Sequence, residues 1–231
     1  MSSCASRLGH RPIGRWLGLA LLVATGLLLS AGLPGASAAT DRYVAPGGED
    51  TGDCSDEQAP CATIQYAIDQ AAAGDTIYIA DGTYVINTQL TVWKTVILQG
   101  ESEAGTILNF DDHTGYGIFA DQDYTEFHDF TVNGPNCANP PPGSCGSSAW
   151  GFKIQGTVPN TRVSGIVLDH ITVFGSGRSG IDLNGVSNAT LSNITVSNNG
   201  LNGGVGLAIT DSDNIAVSNI VSENNPWGQV G

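Results

Sequence analysis

Basic residues are scarce in this sequence, and their scarcity excludes one large class of partner. The 231 residues contain 8 Lys and Arg against 22 Asp and Glu, so the formal net charge is −14. Nucleic-acid binding relies on clusters of Lys and Arg that neutralise phosphates, so no nucleic-acid partner is expected. Only 13% of the residues are charged, and the chain contains 31 glycines. This composition excludes a coiled coil or a charged helical bundle. A single Met and four His leave few ligands for a soft-metal site.

The first 38 residues have the pattern of an export signal. Three arginines precede the apolar run 17–29, and the small residues 36–39 follow it. This order predicts a secretory signal peptide over residues 1–38, and therefore a secreted or cell-surface protein with no membrane partner after cleavage. The alternative is an uncleaved anchor, because the uncharged stretch 16–39 is just long enough to span a bilayer. The glycines and proline near its end favour cleavage.

The cysteine pattern fits an oxidising compartment. One of the five cysteines, Cys4, falls within the predicted signal peptide, which leaves Cys54, Cys61, Cys137 and Cys145. Two local disulfides, Cys54–Cys61 and Cys137–Cys145, are the simplest of the possible pairings. Free or metal-binding thiols are the alternative, although no C-x-x-C spacing supports zinc.

Two different strand phrases alternate along the second half of the chain. The first phrase, an apolar residue followed by two polar ones and an Ile-Thr-Val-like triplet, occurs at 127–132, 168–173, 191–196 and 217–222. The second phrase, a glycine followed by alternating residues, begins at Gly117, Gly151, Gly180 and Gly206. The last offsets are 23 and 26 residues for the first phrase and 26 for the second. This period is too short for a propeller blade or a helical repeat, and it predicts an all-β parallel β-helix solenoid.

Asparagines recur at equivalent places in successive coils. Asn193 and Asn219 form one such pair, and Asn188 and Asn214 form another. Asparagine tolerates bends and its amide can hydrogen-bond to the next coil, so the sequence predicts two asparagine ladders at corners. Asn188 and Asn193 also begin glycosylation sequons, which is the alternative explanation for them.

The segment before the repeats is predicted to cap the solenoid. Ile64, Ala67, Ile68 and Ala71 have helical spacing, and Gly74 is expected to end the helix. An amphipathic helix of this kind would cover the open end of the apolar tube.

The predicted domain organisation has two parts after the signal. A cap covers residues 40–75, and a parallel β-helix covers residues 76–231. Asp81-Gly82 is predicted to form the turn between the first two of its strands, at 76–79 and 83–86. Because the chain stops within a coil and without a second cap, we expect the β-helix to be truncated at its C-terminus.

Two stretches in and after the cap carry a family resemblance. The segments 43–48 and 60–84 resemble the capped start of secreted right-handed β-helix proteins of the pectate-lyase-like superfamily, and the later phrases resemble its coils. The resemblance covers residues 43–231 and implies a right-handed parallel β-helix with a short N-terminal capping helix. Members include polysaccharide lyases, glycoside hydrolases, epimerases and non-catalytic surface proteins, so the fold alone does not select an activity.

For a lyase, the resemblance implies a calcium ion that neutralises the substrate carboxylate and an Arg or Lys that removes a proton. Lys153 and Asp182 occupy equivalent outward positions in adjacent coils, and Arg178 lies just before the second strand. These three residues are candidate catalytic residues that could hold an anionic sugar. The alternative is a solvated ion pair on the sheet surface, which contributes little to stability.

Two further groups of residues are weaker candidates. His128 and Asp169 are equivalent and outward in neighbouring coils, so they could act as a general base and the carboxylate that orients it. The alternative is an ordinary exposed pair. Asp211 and Asp213, which are close together in a turn, are candidate calcium ligands.

Other chemistries of the superfamily lack their motifs here. The paired carboxylates and Gly-His-Gly of the glycoside hydrolases are absent, apart from an isolated Asp111-Asp112 pair. The epimerase motif begins at Gly180-Ile-Asp182 but then departs from the expected Pro-His-Asp. We therefore expect a secreted protein that binds or processes extracellular polysaccharide, with a pectate-type lyase as the enzymatic version. A non-catalytic surface or adhesin module is the alternative, and the sequence gives no indication of oligomeric state.

Overall fold

Parallel strands dominate the described part of the chain. The computed structural model describes residues 39–110, 113–135, 149–156, 161–200 and 202–231. Its strands, numbered in chain order, are β1 Asp41–Val44, β2 Thr76–Ile79, β3 Gly82–Val85, β4 Leu90–Val92, β5 Ile97–Gly100, β6 Thr106–Asn109, β7 Ile118–Ala120, β8 Glu126–Asn133, β9 Phe152–Gln155, β10 Val163–Ser164, β11 Val167–Phe174, β12 Ile181–Asn184, β13 Val186–Ser197, β14 Leu207–Thr210 and β15 Asp213–Glu223. One helix, α1, covers Ile64–Gln70. Each strand pair in the two sheets is parallel.

The strands form two sheets, and the coils from β2 to β14 contribute strands to both. A five-stranded sheet, here called the small sheet, stacks β4, β7, β9, β12 and β14 in that order. A ten-stranded sheet, the large sheet, stacks β1, β2, β5, β8, β11, β13 and β15 as its main path. Neighbouring strands of a sheet therefore come from successive coils, which is the arrangement of a parallel β-helix. The fold class predicted from the repeats is confirmed.

The register agrees with the two repeated phrases. In the large sheet, Leu168 pairs with Leu191, which pairs in turn with Val217. In the small sheet, Phe152 pairs with Ile181, and Ile181 pairs with Leu207. Equivalent positions of the sequence repeat thus lie side by side, so side chains that face one way in one coil face the same way in the next.

Inward side chains fill the bore of the coil with hydrophobic groups. Phe127, Phe130 and Phe152 have no solvent exposure and form an aromatic cluster in the middle of the tube. The Phe127 and Phe152 ring centroids lie 5.2 Å apart in an edge-to-face arrangement, and Phe130 stacks on Phe152 at 6.1 Å. Such pairs add to the hydrophobic stabilisation of the core.

The glycine that opens the second phrase is required by close packing between coils. A Cβ atom at Gly117 would lie 2.6 Å from the carbonyl oxygen of Gly151, and one at Gly151 would lie 2.6 Å from that of Gly180. The column continues with Gly206, whose carbonyl would lie 2.9 Å from a Cβ atom at Gly180. Any larger residue would push the coils apart at this corner, which explains why the glycine recurs.

The predicted asparagine ladders lie at corners of the large sheet. Asp129, His170, Asn193 and Asn219 all have positive φ angles between 51° and 56°. Asn and Asp tolerate this left-handed conformation better than most residues. The amide of Asn219 donates to the amide oxygen of Asn193 at 3.0 Å. Both features confirm that these residues occupy bends.

The second predicted ladder has the same geometry. Asn188 and Asn214 each have a φ of 52°, and the amide nitrogen of Asn214 donates to the amide oxygen of Asn188 at 3.2 Å. The structure therefore explains both asparagines of the sequons by their place at corners.

A third ladder lies inside the coil and was not predicted. The Asn199 amide oxygen accepts the Ser176 backbone N–H, and its amide nitrogen donates to the Val173 carbonyl. Asn225 repeats this one coil later, accepting the Asn199 N–H and donating to the Val196 carbonyl. Both asparagines are buried, so each satisfies turn backbone groups that water cannot reach.

The capping helix is present but shorter than expected. The Thr63 hydroxyl accepts the Tyr66 N–H, and Ile64 and Ile68 bury their side chains against the core. The helix ends at Gln70 rather than at Gly74, because Ala71 already has an extended backbone with ψ of 149°. Ala71 is nevertheless buried, so helical spacing identified an apolar face that outlasts the helix itself.

The segment predicted to be only a cap also contributes a strand. Strand β1 pairs with β2, so the large sheet extends into the cap. Strand β3 pairs with β6 rather than with β2. Asp81-Gly82 is therefore a corner of the coil and not a hairpin turn.

A disulfide and a buried ion pair hold the residues of the cap together. Cys54 and Cys61 form the predicted disulfide. The Arg42 guanidinium donates to the Asp75 carboxylate from Nε at 3.0 Å and from Nη2 at 2.9 Å. Asp75 also accepts the backbone N–H groups of Thr40 and Ala72, so all of its hydrogen-bonding capacity is used inside the protein.

Several predicted features lie outside the described residues. They are the signal peptide over 1–38, the Cys137–Cys145 disulfide and the Asp111-Asp112 pair. Within the described ranges, no helix combines the length and apolar character needed to cross a membrane.

Candidate functional site

Lys153 and Asp182 meet on the outer side of the small sheet. They are paired residues of β9 and β12, and the Lys153 Nζ lies 2.9 Å from the Asp182 carboxylate. Their side chains are only 6% and 13% exposed. The two residues therefore form a cross-strand ion pair, as their equivalent positions predicted. The alternative of a solvated pair is wrong in one respect, because the pair is largely covered. Because the pair is covered, its charge interaction is less screened by water than that of an exposed pair.

An aromatic ring joins this pair to the third candidate. The Trp150 ring centroid lies 5.3 Å from the Lys153 Nζ and 5.2 Å from the Arg178 Cζ. Both cations thus lie within the range of a cation–π interaction with one indole. We call Trp150, Lys153, Arg178 and Asp182 the small-sheet cluster.

Arg178 differs from the other cations in its partners. Among the described residues, its buried Nε has no hydrogen-bond partner, and no carboxylate forms an ion pair with its guanidinium. A guanidinium presents several donors in a plane that matches a carboxylate. The small-sheet cluster therefore combines a cation without a carboxylate partner, a second cation and an aromatic ring, which together suit a sugar that carries a carboxylate.

Two aromatic residues of this region, Tyr116 and Trp150, were not predicted from the sequence. Tyr116 lies 5.4 Å from Trp150 between ring centroids and stacks on Phe119 at 5.7 Å. A signal for the Tyr116–Trp150 contact was present, because each directly precedes the glycine of the second phrase. Equivalent positions of neighbouring coils must lie side by side, so the repeat register could have placed the two rings together.

His128 and Asp169 are neighbours in register but do not form the expected catalytic pair. They are paired residues of β8 and β11. The His128 Nε2 instead lies 3.0 Å from the Glu126 carboxylate. The Asp169 carboxylate accepts from Ser192 Oγ at 2.6 Å and from Asn193 Nδ2 at 2.9 Å.

The contacts of Asp169 explain its electrostatics as part of the corner. Burial raises the pKa of Asp169, but the hydrogen bonds from Ser192, Asn193 and His170 outweigh burial. The pKa of Asp169 is therefore below its usual range. The hydrogen bond with Asp169 raises the pKa of His170, which occupies the corner position expected from the ladder alignment. A carboxylate with these partners stabilises the bend and remains ionised at neutral pH.

The candidate calcium ligands face a basic residue. Arg162 donates to the Asp211 carbonyl oxygen, and its Nε lies 3.9 Å from the Asp213 carboxylate. Among the described residues, no group of three or more His, Cys, Asp or Glu side chains is arranged to hold a metal ion. Calcium binding here stays a prediction that the geometry of the described ranges does not support.

Comparison with known proteins gives one relative and several solved structures of similar shape. No family model matches the sequence. Pectate lyase PEL9 of Emericella nidulans is 36% identical over 119 residues, which cover 42% of this chain and 29% of that protein. The chain thus matches less than a third of the length of this curated relative.

Solved structures resemble this chain at low sequence identity. A pectin methylesterase mutant bound to a hexasaccharide superposes with a TM-score of 0.52 at 16% identity, covering 78% of this chain and 56% of that one. Pectate lyase Pel9A has a TM-score of 0.43 at 17% identity, covering 83% and 65%. Together with the coil register, the first of these identifies the architecture. The chain is a parallel β-helix protein, and it shares this fold with the pectin methylesterase structure.

Proposed function

We propose that this protein binds acidic polysaccharide at the small-sheet cluster and acts as a pectate-type lyase. The observation that carries the proposal is the meeting of Arg178 and Lys153 over the ring of Trp150. The 36% identity to a pectate lyase supports the same substrate class, a chain of uronic acids. Elsewhere the acid excess of the chain would repel such a polymer, so a local cationic site is needed to hold it.

The cluster supplies the groups that bind and polarise a uronate. The Arg178 guanidinium can take the sugar carboxylate in a two-pronged hydrogen bond, while the Trp150 ring packs against the sugar. Positive charge beside the carboxylate makes the proton on the adjacent C5 carbon more acidic. When a hydroxide ion from solvent accepts that proton, the electron pair of the C–H bond forms the C4–C5 double bond and the C4–O bond to the next sugar breaks. The released sugar oxygen takes a proton from water, which leaves a free hydroxyl on one product and an unsaturated uronate on the other.

In the described geometry, Lys153 contributes positive charge to the site and does not act as the base of this reaction. An ammonium group has three donors and no lone pair, and that of Lys153 already donates to Asp182 at 2.9 Å. Asp182 therefore acts as the positioning residue that holds Lys153 near Trp150. The described residues supply no set of calcium ligands beside the cluster. They also supply no free base there, because Lys153 is paired with Asp182.

The alternative function, a non-catalytic polysaccharide-binding module, is favoured by this engagement of Lys153. A binding module needs only the cations and the ring, whereas a lyase also needs a group that accepts the C5 proton. The two functions differ in the product and not in the ligand. Binding of polygalacturonate without unsaturated product would support the module.

The experiment compares wild-type protein with Arg178→Gln and with the control Arg162→Gln. Arg162 is a partly exposed arginine, with a side chain 41% exposed, that contacts Asp211 and Asp213. Protein is incubated with polygalacturonate or alginate, with and without added calcium, and the ultraviolet absorbance of unsaturated uronate is followed. We expect product from wild type and Arg162→Gln, and a loss of about tenfold or more in kcat/KM for Arg178→Gln. Absence of product from wild type on both substrates contradicts the lyase, and equal binding by both variants contradicts the site.

A further inference from the structure

A cleft lies on the large sheet near the cap, and none of its lining residues belongs to the small-sheet cluster. It has a volume of about 570 Å³. Its floor is the outer face of β1, β2 and β5, and one wall is the loop closed by the Cys54–Cys61 disulfide. A cleft of this size, with aromatic and polar lining, has the dimensions of a ligand site.

Two tyrosines form the aromatic part of the cleft. Tyr43 and Tyr78 are paired residues of β1 and β2, and their rings stack with centroids 5.8 Å apart at 19°. Tyr78 is 40% exposed, so part of its ring is open to a ligand. Gln99 follows Tyr78 in register on β5 and adds an amide to the same line.

The wall beside the tyrosines is fixed before any ligand binds. The Tyr43 N–H donates to the Cys54 carbonyl, and the Cys61 N–H donates to the Tyr43 carbonyl, so both ends of the loop are held by β1. The disulfide joins the same two ends. A preformed wall lowers the entropy that binding would otherwise cost.

The charged groups of the cleft all have one sign. Asp41, Glu57 and Glu101 line it, and no Lys, Arg or His does. The neighbouring basic residue, Arg42, points to the other face of β1 and pairs with buried Asp75. Within the described residues, Asp41 and Glu57 form no ion pair. A polyuronate would be repelled here, whereas a cation would be attracted both by the carboxylates and by the tyrosine rings.

From this arrangement we propose that the Tyr43–Tyr78 cleft binds a glycan of protonated amino sugars. The sugar rings pack against the exposed part of Tyr78, and their ammonium groups lie between the carboxylates of Asp41 and Glu57. The large sheet thus takes a cationic glycan, while the small-sheet cluster takes an anionic one. A sugar chain is favoured over a basic peptide because the proposed function places this protein among polysaccharides, and to that extent the choice of ligand rests on that function.

The test uses isothermal titration calorimetry of the purified chain with a glucosamine hexamer. The titration is run at a pH of about 5.5, where the sugar amines are protonated. The N-acetylglucosamine hexamer, which has the same length without charge, and a lysine hexamer, which has charge without sugar rings, are the two comparison ligands. We expect the glucosamine hexamer to bind most tightly and its affinity to fall with added salt.

Matched variants locate the binding. Tyr78→Ala should weaken it by about tenfold, as truncation of an aromatic anchor does, whereas Tyr124→Ala should not. Tyr124 is 66% exposed and lies outside the cleft, which makes it the matched control. Glu57→Gln should weaken binding, and the exposed neighbour change Asp56→Asn should not.

Three results would overturn the proposal. They are equal affinity for the acetylated hexamer, equal affinity for the lysine hexamer, and binding that Tyr78→Ala leaves unchanged. Thermal melts of all variants show whether each is folded. Lyase activity on polygalacturonate provides a separate readout, because Tyr78→Ala should leave it intact. Loss of cleft binding and loss of the proposed lyase function are therefore distinguishable.

Discussion

Replacing Asp75 by asparagine should destabilise the protein strongly, because Asp75 is a buried charged residue of the cap. The Asp75 side chain is 1% exposed and accepts four hydrogen bonds, two from Arg42 and one each from Thr40 and Ala72. An asparagine of the same shape has one oxygen, and its NH₂ group would face N–H donors. The substitution therefore leaves a buried guanidinium without its counter-charge.

The size of the effect follows from what remains buried. Removing one partner of a buried ion pair costs about 3–5 kcal/mol, because the other charge keeps its desolvation penalty. For a chain of this length, such a loss lowers the melting temperature by roughly 6–20 °C. Urea unfolding followed by circular dichroism measures the free energy directly, and the midpoint should fall while the slope stays constant.

Asp53→Asn is the matched control, since it removes the other acidic partner of the same arginine. The Asp53 carboxylate lies 3.4 Å from the Arg42 Nη1, but its side chain is 68% exposed. An exposed pair of this kind contributes little. Equal losses in the two variants, or a small loss in Asp75→Asn, would refute the assignment of the buried pair as a main stabilising contact within the cap.

The same pair predicts the pH dependence of stability. Burial raises the pKa of Asp75, but the hydrogen bonds from Thr40, Ala72 and Arg42 outweigh it, so the folded-state pKa is lowered. A lowered pKa contributes stability above the unfolded value of about 3.9, and this contribution is lost as the pH falls through the folded-state value. The difference between wild type and Asp75→Asn should thus be constant from about pH 5 to pH 8 and shrink below about pH 4.

Two further substitutions test the interior of the coil. Asn199→Ala should cost about 1–3 kcal/mol for each orphaned group, because it leaves the Ser176 N–H and the Val173 carbonyl unpaired in the core, whereas Asn214→Ala at an exposed corner should cost less in the same urea titration. Phe152→Ala should cost about 3–5 kcal/mol, since it removes the ring that contacts both other phenylalanines of the core, and a loss under about 1 kcal/mol in calorimetry would contradict the described packing.

The register of the coils could be predicted because it depends on short repeated phrases. A one-residue slip would turn every inward side chain outward, so the alternation around Ile181 and Leu183 fixes the pairing strongly. The pairing of Lys153 with Asp182 follows from the same register. Their burial could not be predicted, because it depends on how neighbouring side chains cover the sheet and not on alternation.

Contacts between corners were harder to predict than contacts between strands. The buried asparagines Asn199 and Asn225 have the same 26-residue offset as the corner asparagines, but alternation gives no direction for a side chain in a turn. Trp150 and Arg178 lie in such turns, before the strands that carry Lys153 and Asp182. The sequence therefore identifies which residues share a coil position. Only the structure shows that the side chains of Lys153 and Arg178 both lie against the Trp150 ring.

The distribution of positive charge explains why the two faces of the coil should bind different glycans. Among the described residues, Arg42 neutralises a buried carboxylate, Lys94 donates to two backbone carbonyls at the end of α1, and Arg162 serves a corner of the last coils. Lys153 and Arg178 remain, and both lie against one indole. Lys153 is paired with Asp182, so Arg178 is the cation of this cluster that has no carboxylate partner among the described residues. In a chain with a net charge of −14, an anionic polymer would be attracted to this cluster and repelled by the carboxylates that line the tyrosine cleft. Binding at the small-sheet cluster and at the tyrosine cleft should therefore both weaken with salt, but for ligands of opposite charge.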